Sequence, residues 1–358
     1  MNKTLTTALA ISALAVNVAG ATNTVGGTDN TISATSTSSA VWGFQNNIDA
    51  NNALAFGTNN TVTGENGFAG GNNATAAGRN SFAFGSHAES LVEYTVAIGN
   101  QARVSSYDSV AIGNGAFVSG ESSVALGRTN NVTGENSVAI GANNGTVAGG
   151  QSAVVGYNNK IGADKEQLVF GSNSESSGQG ALVFGTHAKA VAMDAVAFGN
   201  NTIADKPNAV GIGTNSVTDD AVGVDGITIN GTRHVFAGEQ PASVVSFGSK
   251  ARAGAGGVTQ YNRQLTNVSA GQISADSLDA INGSQLYAAI DEIETNAKQI
   301  SKNKQNIKDV AVGLNMLGDV VNDHEQAIAG NTTAIANNTN RINGNTYDIN
   351  SLGQKMTA

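Results

Sequence analysis

Short apolar runs ending in glycine recur along the first two-thirds of the chain at a fixed spacing. AVWG ends at Gly43, ALAFG at Gly57, GFAGG at Gly71, SFAFG at Gly85 and TVAIG at Gly99. SVAIG ends at Gly113, SVALG at Gly127, SVAIG at Gly141, SAVVG at Gly156, QLVFG at Gly171, ALVFG at Gly185, AVAFG at Gly199 and AVGIG at Gly213. Neighbouring copies lie 14 residues apart, with two steps of 15 between 141 and 171. Such a unit is too short for a strand–helix–strand crossover. It is long enough for two short strands and two turns, one rung of a parallel β-coil.

Within each unit the apolar residues alternate with alanine, so Val96 and Ile98, Val110 and Ile112, and Val138 and Ile140 share a strand face. A second apolar position follows five residues after the glycine, at Ile48, Val62, Val104, Val118, Val132 and Ile161. Asn, Ser, Thr and Gly lie between, as turns require. Stacked at about 4.8 Å, the thirteen units span roughly 60 Å. One rung has few apolar side chains to offset the ordering of its backbone. The expected remedy is burial of one face against identical coils about a shared axis; the repeat by itself leaves the number of chains open. Calcium binding of the β-roll type calls for regular G-G-x-G-x-D spacing, and these turns carry Asn and Ser instead.

Residues 1–21 read as a secretory signal: Lys3, an apolar run from Ala8 to Val18, and Ala19-Gly20-Ala21, with cleavage after Ala21. Residues 22–225 form the repeat region, 226–260 an irregular β connector, and 261–287 a joining segment in which a helix is expected from Ser277. Residues 286–352 carry heptads: Leu286, Ile290, Ile293, Ala297, Ile300, Lys304 and Ile307, then a second frame from Leu314 and Leu317 to Ile349 and Leu352. The two frames differ by three residues, a stammer-like discontinuity. Ile-rich core positions shift such a rod away from dimers. Asn331, Asn338 and Asn345 recur at d. They read as register devices or as layers whose N–H groups surround an anion. His324, also at d, reads as a hydrated register residue.

Several classes are excluded. The chain has no cysteine, so neither a disulfide framework nor a zinc–thiolate site. Its net charge of −9 offers no footprint for nucleic acid or an anionic membrane. His87, His187, His234 and His324 are scattered, and no nucleophile elbow, P-loop or HExxH sequence occurs. No enzyme and no cofactor are expected.

The signal segment, the S-V-A-I-G units, the stretch RQLTNVSAG…DAINGSQLYA and the heptads with Asn at d together resemble the YadA-like trimeric autotransporter adhesins over nearly all of residues 1–352. The resemblance implies a trimeric left-handed parallel β-roll head, a neck at about 261–287, and a parallel trimeric coiled-coil stalk. It implies a homotrimer that adheres to host extracellular matrix or cell-surface receptors, and chloride or a similar anion in the Asn layers. In the family's collagen-binding heads NSVAIG units are implicated. Here Asn136, Ser137, Val138, Ala139, Ile140 and Gly141 match that string in full, whereas 108–113 reads DSVAIG. The family's twelve-stranded barrel has no counterpart in the tail 353–358, so membrane insertion by this chain is not expected. The location implied is the Gram-negative cell surface, or a secreted or periplasmic one without an anchor. A non-adhesive spacer or truncated fragment is the alternative, with a phage-fibre-like protein a weaker version.

Overall fold

The computed structural model describes residues 23–254 and 257–357; the signal segment and its cleavage point after Ala21 lie outside them. The chain divides into two compact units, Met1–Leu265 and Thr266–Ala358.

The first unit is a parallel β-solenoid. Each rung has a strand of three to five residues, such as Val96–Ile98 or Val138–Ala142, and a strand of two, such as Arg103–Val104. The longer strands stack into one 15-stranded parallel sheet. Its register matches the repeat: Val96 lies on Val110, Val110 on Val124 and Val124 on Val138. The short strands form a nine-stranded sheet from Thr31–Ile32 to Thr146–Val147 and a four-stranded one from Lys160–Ile161 to Ile203–Ala204. The break falls where the two 15-residue units each carry an extra residue.

The interior is narrow. Ala97, Ala111, Ala125 and Ala139 fill it from the long strands, Val104, Val118, Val132 and Val147 from the short ones, all fully buried. Polar ladders complete it. The Asn144 side chain donates to Asn130 Oδ1 at 3.2 Å and to the Gly156 carbonyl at 3.1 Å, and Asn159 repeats this on Asn144 at 3.0 Å. On the other side Ser137 donates its Oγ–H to Gly149 O at 3.0 Å and accepts from Ser152 N at 3.2 Å. The buried side chains of these ladders thus find partners on neighbouring rungs, as desolvation demands, whereas the hydroxyls of Ser36, Ser81 and Ser176 are buried without one.

The turns explain the composition. Most rungs hold two residues with positive φ, among them Asn59 and Asn66, Asn73 and Asn80, and Asn136 and Asn143; Asn tolerates this region at low cost. The glycine that ends an apolar run is in most rungs required twice over, by its positive φ and by the backbone of the next rung. Gly141 has φ +115°, and a Cβ built on it falls 1.9 Å from Gly156 O on the next rung.

The sheet extends one strand beyond the thirteen units at each end. Thr24–Thr28 precedes them, with Gly27 on Gly43. Val245–Ser246 follows and pairs in parallel with Val210–Ile212. The break in period after Gly213 is therefore an excursion, with an antiparallel hairpin of Gly226–Ile229 and Thr232–Val235 within it, after which VVSFG resumes the stack.

The second unit contains one continuous helix, Gly283–Thr357, with no buried residue. It starts later than the expected Ser277 and outlasts the expected stop at 352. Gly283 is thus a first-turn residue, not a mid-helix one. The cap is Asn282, whose Oδ1 accepts from Ser284 N at 3.2 Å while Gln285 Oε1 accepts from Asn282 N at 3.1 Å. This is a reciprocal capping box. The helix passes unbroken through the change of heptad frame.

Gly141→Ala should destabilise the solenoid by roughly 2–4 kcal/mol, because the new methyl meets a backbone carbonyl in an unfavourable φ region. Gly231→Ala, where φ is +81° and nothing lies within 4 Å, should cost no more than about 1 kcal/mol. Thermal melts of the two variants side by side test the difference.

Candidate functional site

Because alanine occupies the interior, the larger apolar residues of each long strand point out of the coil. One outward row contains Leu54, Phe68, Phe82, Val96, Val110, Val124, Val138, Leu168, Leu182 and Val196, each half-buried. The row beside it contains Trp42, Phe56, Phe84, Ile98, Ile112, Leu126, Ile140, Val155, Phe170, Phe184 and Phe198, with Phe56 59% exposed and Phe198 55% exposed. Aromatic rings stack along these rows: Phe68 on Phe82 at 4.5 Å and Phe170 on Phe184 at 5.2 Å between centroids. Gly70 makes room for this, since a Cβ there would meet Phe84 at 2.8 Å and Phe68 at 2.9 Å. The result is a continuous apolar stripe along the sheet, larger than a soluble monomer ordinarily leaves in water.

The short strands carry a different surface. Their outward positions run Thr31, Asn47, Thr61, Thr75, Glu89, Arg103, Phe117, Asn131 and Thr146, then Lys160, Glu175, Lys189 and Ile203. Ion pairs connect successive rungs: Glu89 to Arg103 at 3.2 Å, and Glu175 to Lys160 at 2.8 Å and Lys189 at 3.2 Å. The hydrogen bond from Lys160 holds the Glu175 carboxyl below its ordinary pKa, with Lys189 adding to the effect against a partial desolvation. The coil thus has one apolar and one polar outer face.

The NSVAIG string divides along the same lines. Ser137 and Ala139 are buried, Gly141 makes the turn, and Asn136 has φ +53° at the other corner. Outward side chains are left at Asn136, Val138 and Ile140. Most of the string is therefore solenoid framework.

The last rung is closed by Arg263. Its guanidinium donates to Ser216 Oγ at 3.0 Å and to the carbonyls of Phe247 and Thr214. A cleft of about 300 Å³ beside it is lined by Val217, Phe247, Lys250 and Tyr261 among others. In the second unit, Asn282 and Gln285 of DAINGSQLYA also fasten the loop before the helix. Asn282 Nδ2 donates to Val268 O at 3.1 Å, and Gln285 bonds both N and O of Gly271, at 3.0 and 2.7 Å. Along the helix the heptad residues Leu286, Ile290, Ile293, Ile300 and Ile307 are all exposed, as are Asn331, Asn338 and Asn345.

His87 and His187 occupy exposed corner positions with φ near +55°, His234 lies in the hairpin and His324 on the helix. Among the described residues no three His, Asp or Glu side chains gather as a metal site. No described helix is long and apolar enough to cross a membrane.

Residues 49–74, 63–88, 93–116, 119–144 and 176–202 match the YadA head domain repeat, and residues 264–309 match the coiled stalk of trimeric autotransporter adhesin. Autotransporter adhesin BtaE of Brucella suis biovar 1 (strain 1330) is 42% identical over 84 residues, which are 24% of this chain and 10% of that protein. Similarity to this curated relative thus extends over about a tenth of its length. Among solved structures, the C-terminal YadA-like domain of BPSL2063 from Burkholderia pseudomallei is 33% identical, covering 38% of this chain and 53% of that one, with a TM-score of 0.27. The collagen-binding domain of Yersinia adhesin YadA is 25% identical, covering 58% of this chain and 84% of that one, with a TM-score of 0.35.

A carboxylate held below its unfolded pKa contributes stability that is present above the unfolded value and lost as pH falls through the folded one. Glu175→Gln should therefore remove part of the acid sensitivity of the solenoid below about pH 4.3 and change little at pH 7 beyond the loss of a surface pair. Melting temperatures of both proteins from pH 7 to pH 3 measure this; parallel curves would count against a role for Glu175.

Proposed function

This chain belongs to the YadA-like trimeric autotransporter adhesins, and we propose that its solenoid is the head of a homotrimer displayed on a Gram-negative cell surface, where it adheres to host extracellular matrix or cell-surface receptors. The observation that carries the trimer is the outward apolar stripe: it is too long for a stable monomer and repeats in register, so an identical stripe on each neighbour buries it rung by rung. The helix supports the same reading, since its heptad residues are exposed among the described residues. Three copies of one weakly binding head then add through avidity.

In the stalk we assign Asn331, Asn338 and Asn345 chiefly to register. Thr332 and Thr339 return their hydroxyls to the carbonyls of Ile328 and Ile335 at 2.8 and 2.9 Å, which leaves the asparagine amides to face partner chains or an enclosed anion. A non-adhesive spacer is the second reading. It is favoured by the NSVAIG string, whose buried and turn residues serve the framework.

Sedimentation of the chain from Thr22 onward should give a trimer at micromolar concentration. The trimer should bind at least one of collagen, fibronectin, laminin or epithelial cells; a folded trimer that binds none supports the spacer. Replacing Asn331, Asn338 and Asn345 together by Ile should raise the melting temperature, because polar d residues cost stability in exchange for register. A halide-dependent melting shift that disappears in this variant would add the anion role.

A further inference from the structure

The two ends of the solenoid differ. The last rung is closed by Arg263 and by the returning strand Val245–Ser246. Among the described residues the first rung has no strand before it. Its strand Thr24–Thr28 is terminal in the sheet and pairs only with Ala40–Phe44. Thr24 donates its N–H to Ser39 O at 2.9 Å, and Thr28 O accepts from Gln45 N at 3.1 Å. Alternation along a strand therefore turns the N–H and C=O of Val25 and Gly27 to the free edge. Among the described residues nothing pairs with them.

The devices that protect an exposed edge are also missing. Residues 23–28, NTVGGT, contain no charge, no proline and no bulky side chain, whereas natural edges are ordinarily blunted by such features. The core is unfinished here as well. Val25 stands in the inward row of Val41, Ala55, Ala69 and Ala83. Those four are fully buried, while Val25 is 36% exposed. The edge thus offers free backbone groups, an uncovered apolar side chain and a flat approach. Trp42 lies alongside, its indole over Gly26, where a Cβ would meet the ring at 2.4 Å.

We propose that this open edge is a strand-addition site for an extended, uncharged polypeptide segment of the adhesin's ligand. The segment aligns parallel to Thr24–Thr28, with an apolar residue over Val25 and a glycine two positions on. The spacing follows from the stack. A residue set over Val25 continues the buried row. A residue set over Gly27 in the same conformation brings its Cβ to a carbonyl oxygen, as at Gly27 itself, where a Cβ would lie 2.0 Å from Gly43 O. Backbone pairing supplies affinity and the covered side chain supplies selectivity. That the occupant is a host ligand rests on the adhesive function proposed above; the edge itself rests on geometry alone.

A suitable probe is the peptide NSVAIGAN, the sequence of residues 136–143, blocked at both termini so that it carries no charge and added to the chain from Thr22 onward. Binding is read by the fluorescence of Trp42, the sole tryptophan. In the solenoid the N–H of Val138 bonds the next rung, at 2.9 Å from Ser152 O, so the N–H of Ile140 faces the same way and that of Ala139 faces the opposite way. Saturable binding at one peptide per chain is expected. N-methylation at Ile140 of the peptide should weaken it at least tenfold, and at Ala139 less than twofold. Val25→Lys in the protein should abolish binding with the melting temperature unchanged. Absence of binding, or equal sensitivity to both methyl groups, overturns the proposal without relying on any protein variant. Pairing of two first rungs with each other, seen as a doubled sedimenting species lost in Val25→Lys, also overturns it. Adhesion to matrix protein that is indifferent both to excess peptide and to Val25→Lys sinks the inference and leaves the adhesin standing. Peptide pairing without adhesion to any matrix protein or cell sinks the adhesive function and leaves the edge site standing.

Discussion

Each rung of the solenoid is closed from above and below by the backbone of its neighbours, at the spacing of a parallel ladder, and by no second layer of side chains. That single constraint sets most of the sequence. Every position stacks on its own equivalent, so a residue that suits one rung suits the next. From Gly43 to Gly185 the glycine of each apolar run faces a carbonyl oxygen 1.8–2.6 Å from where its Cβ would be, whereas Gly213, at the end, faces the Arg263 side chain. The inward rows admit alanine, valine and small polar groups that bond up and down the stack. The corners need positive φ, and asparagine supplies it.

A narrow interior has a further consequence. The inward positions of the long strands hold alanine, valine or glycine, whereas isoleucine enters only from the short strands, at Ile48 and Ile161, so the phenylalanine, leucine and isoleucine side chains of the long strands stand outside. Fully formed, one chain therefore leaves a stripe of aromatic and aliphatic residues in water. Hydrophobic burial is the largest favourable contribution to folding, and here much of it is available only from other copies. The helical unit by itself shows the same feature, with its heptad seam wholly exposed. On the trimeric reading proposed above, association and folding are coupled: a mutation in the outward rows acts on assembly, one in the inward rows on the rung itself.

Much of this was legible in the sequence, and the reasons are specific. The spacing of the glycines fixed the register, since parallel pairing leaves no freedom once the period is known. The five-residue offset to Ile48, Val62 and Val104 located the second inward row. Val96 and Ile98 were correctly placed on one face, but alternation alone does not say whether that face or the alanine face is inside; the width of the rung decides it. The last strand was missed as a repeat because a hairpin separates VVSFG from Gly213, although its closing glycine was a usable signal. Arg263 gave no signal, since its three partners lie far away in the chain. The helix starts later than Ser277 because the N-x-x-Q box at Asn282 and Gln285 caps it there, which also accounts for Gly283.

The stacking rule further indicates where binding specificity can reside. Inward rows, turn glycines and corner asparagines answer to the fold, and the outward apolar rows answer to assembly, so none of them can vary freely with the ligand. The outward positions of the short strands can. They pass from Thr61 and Thr75 through the Glu89–Arg103 pair and the ring of Phe117 to the Lys160–Glu175–Lys189 ladder, each rung different although the framework beneath it is the same. On the adhesive reading proposed above, a repeat head changes partner on this polar face or at its first rung. A shared string such as NSVAIG identifies the architecture and leaves the ligand unspecified.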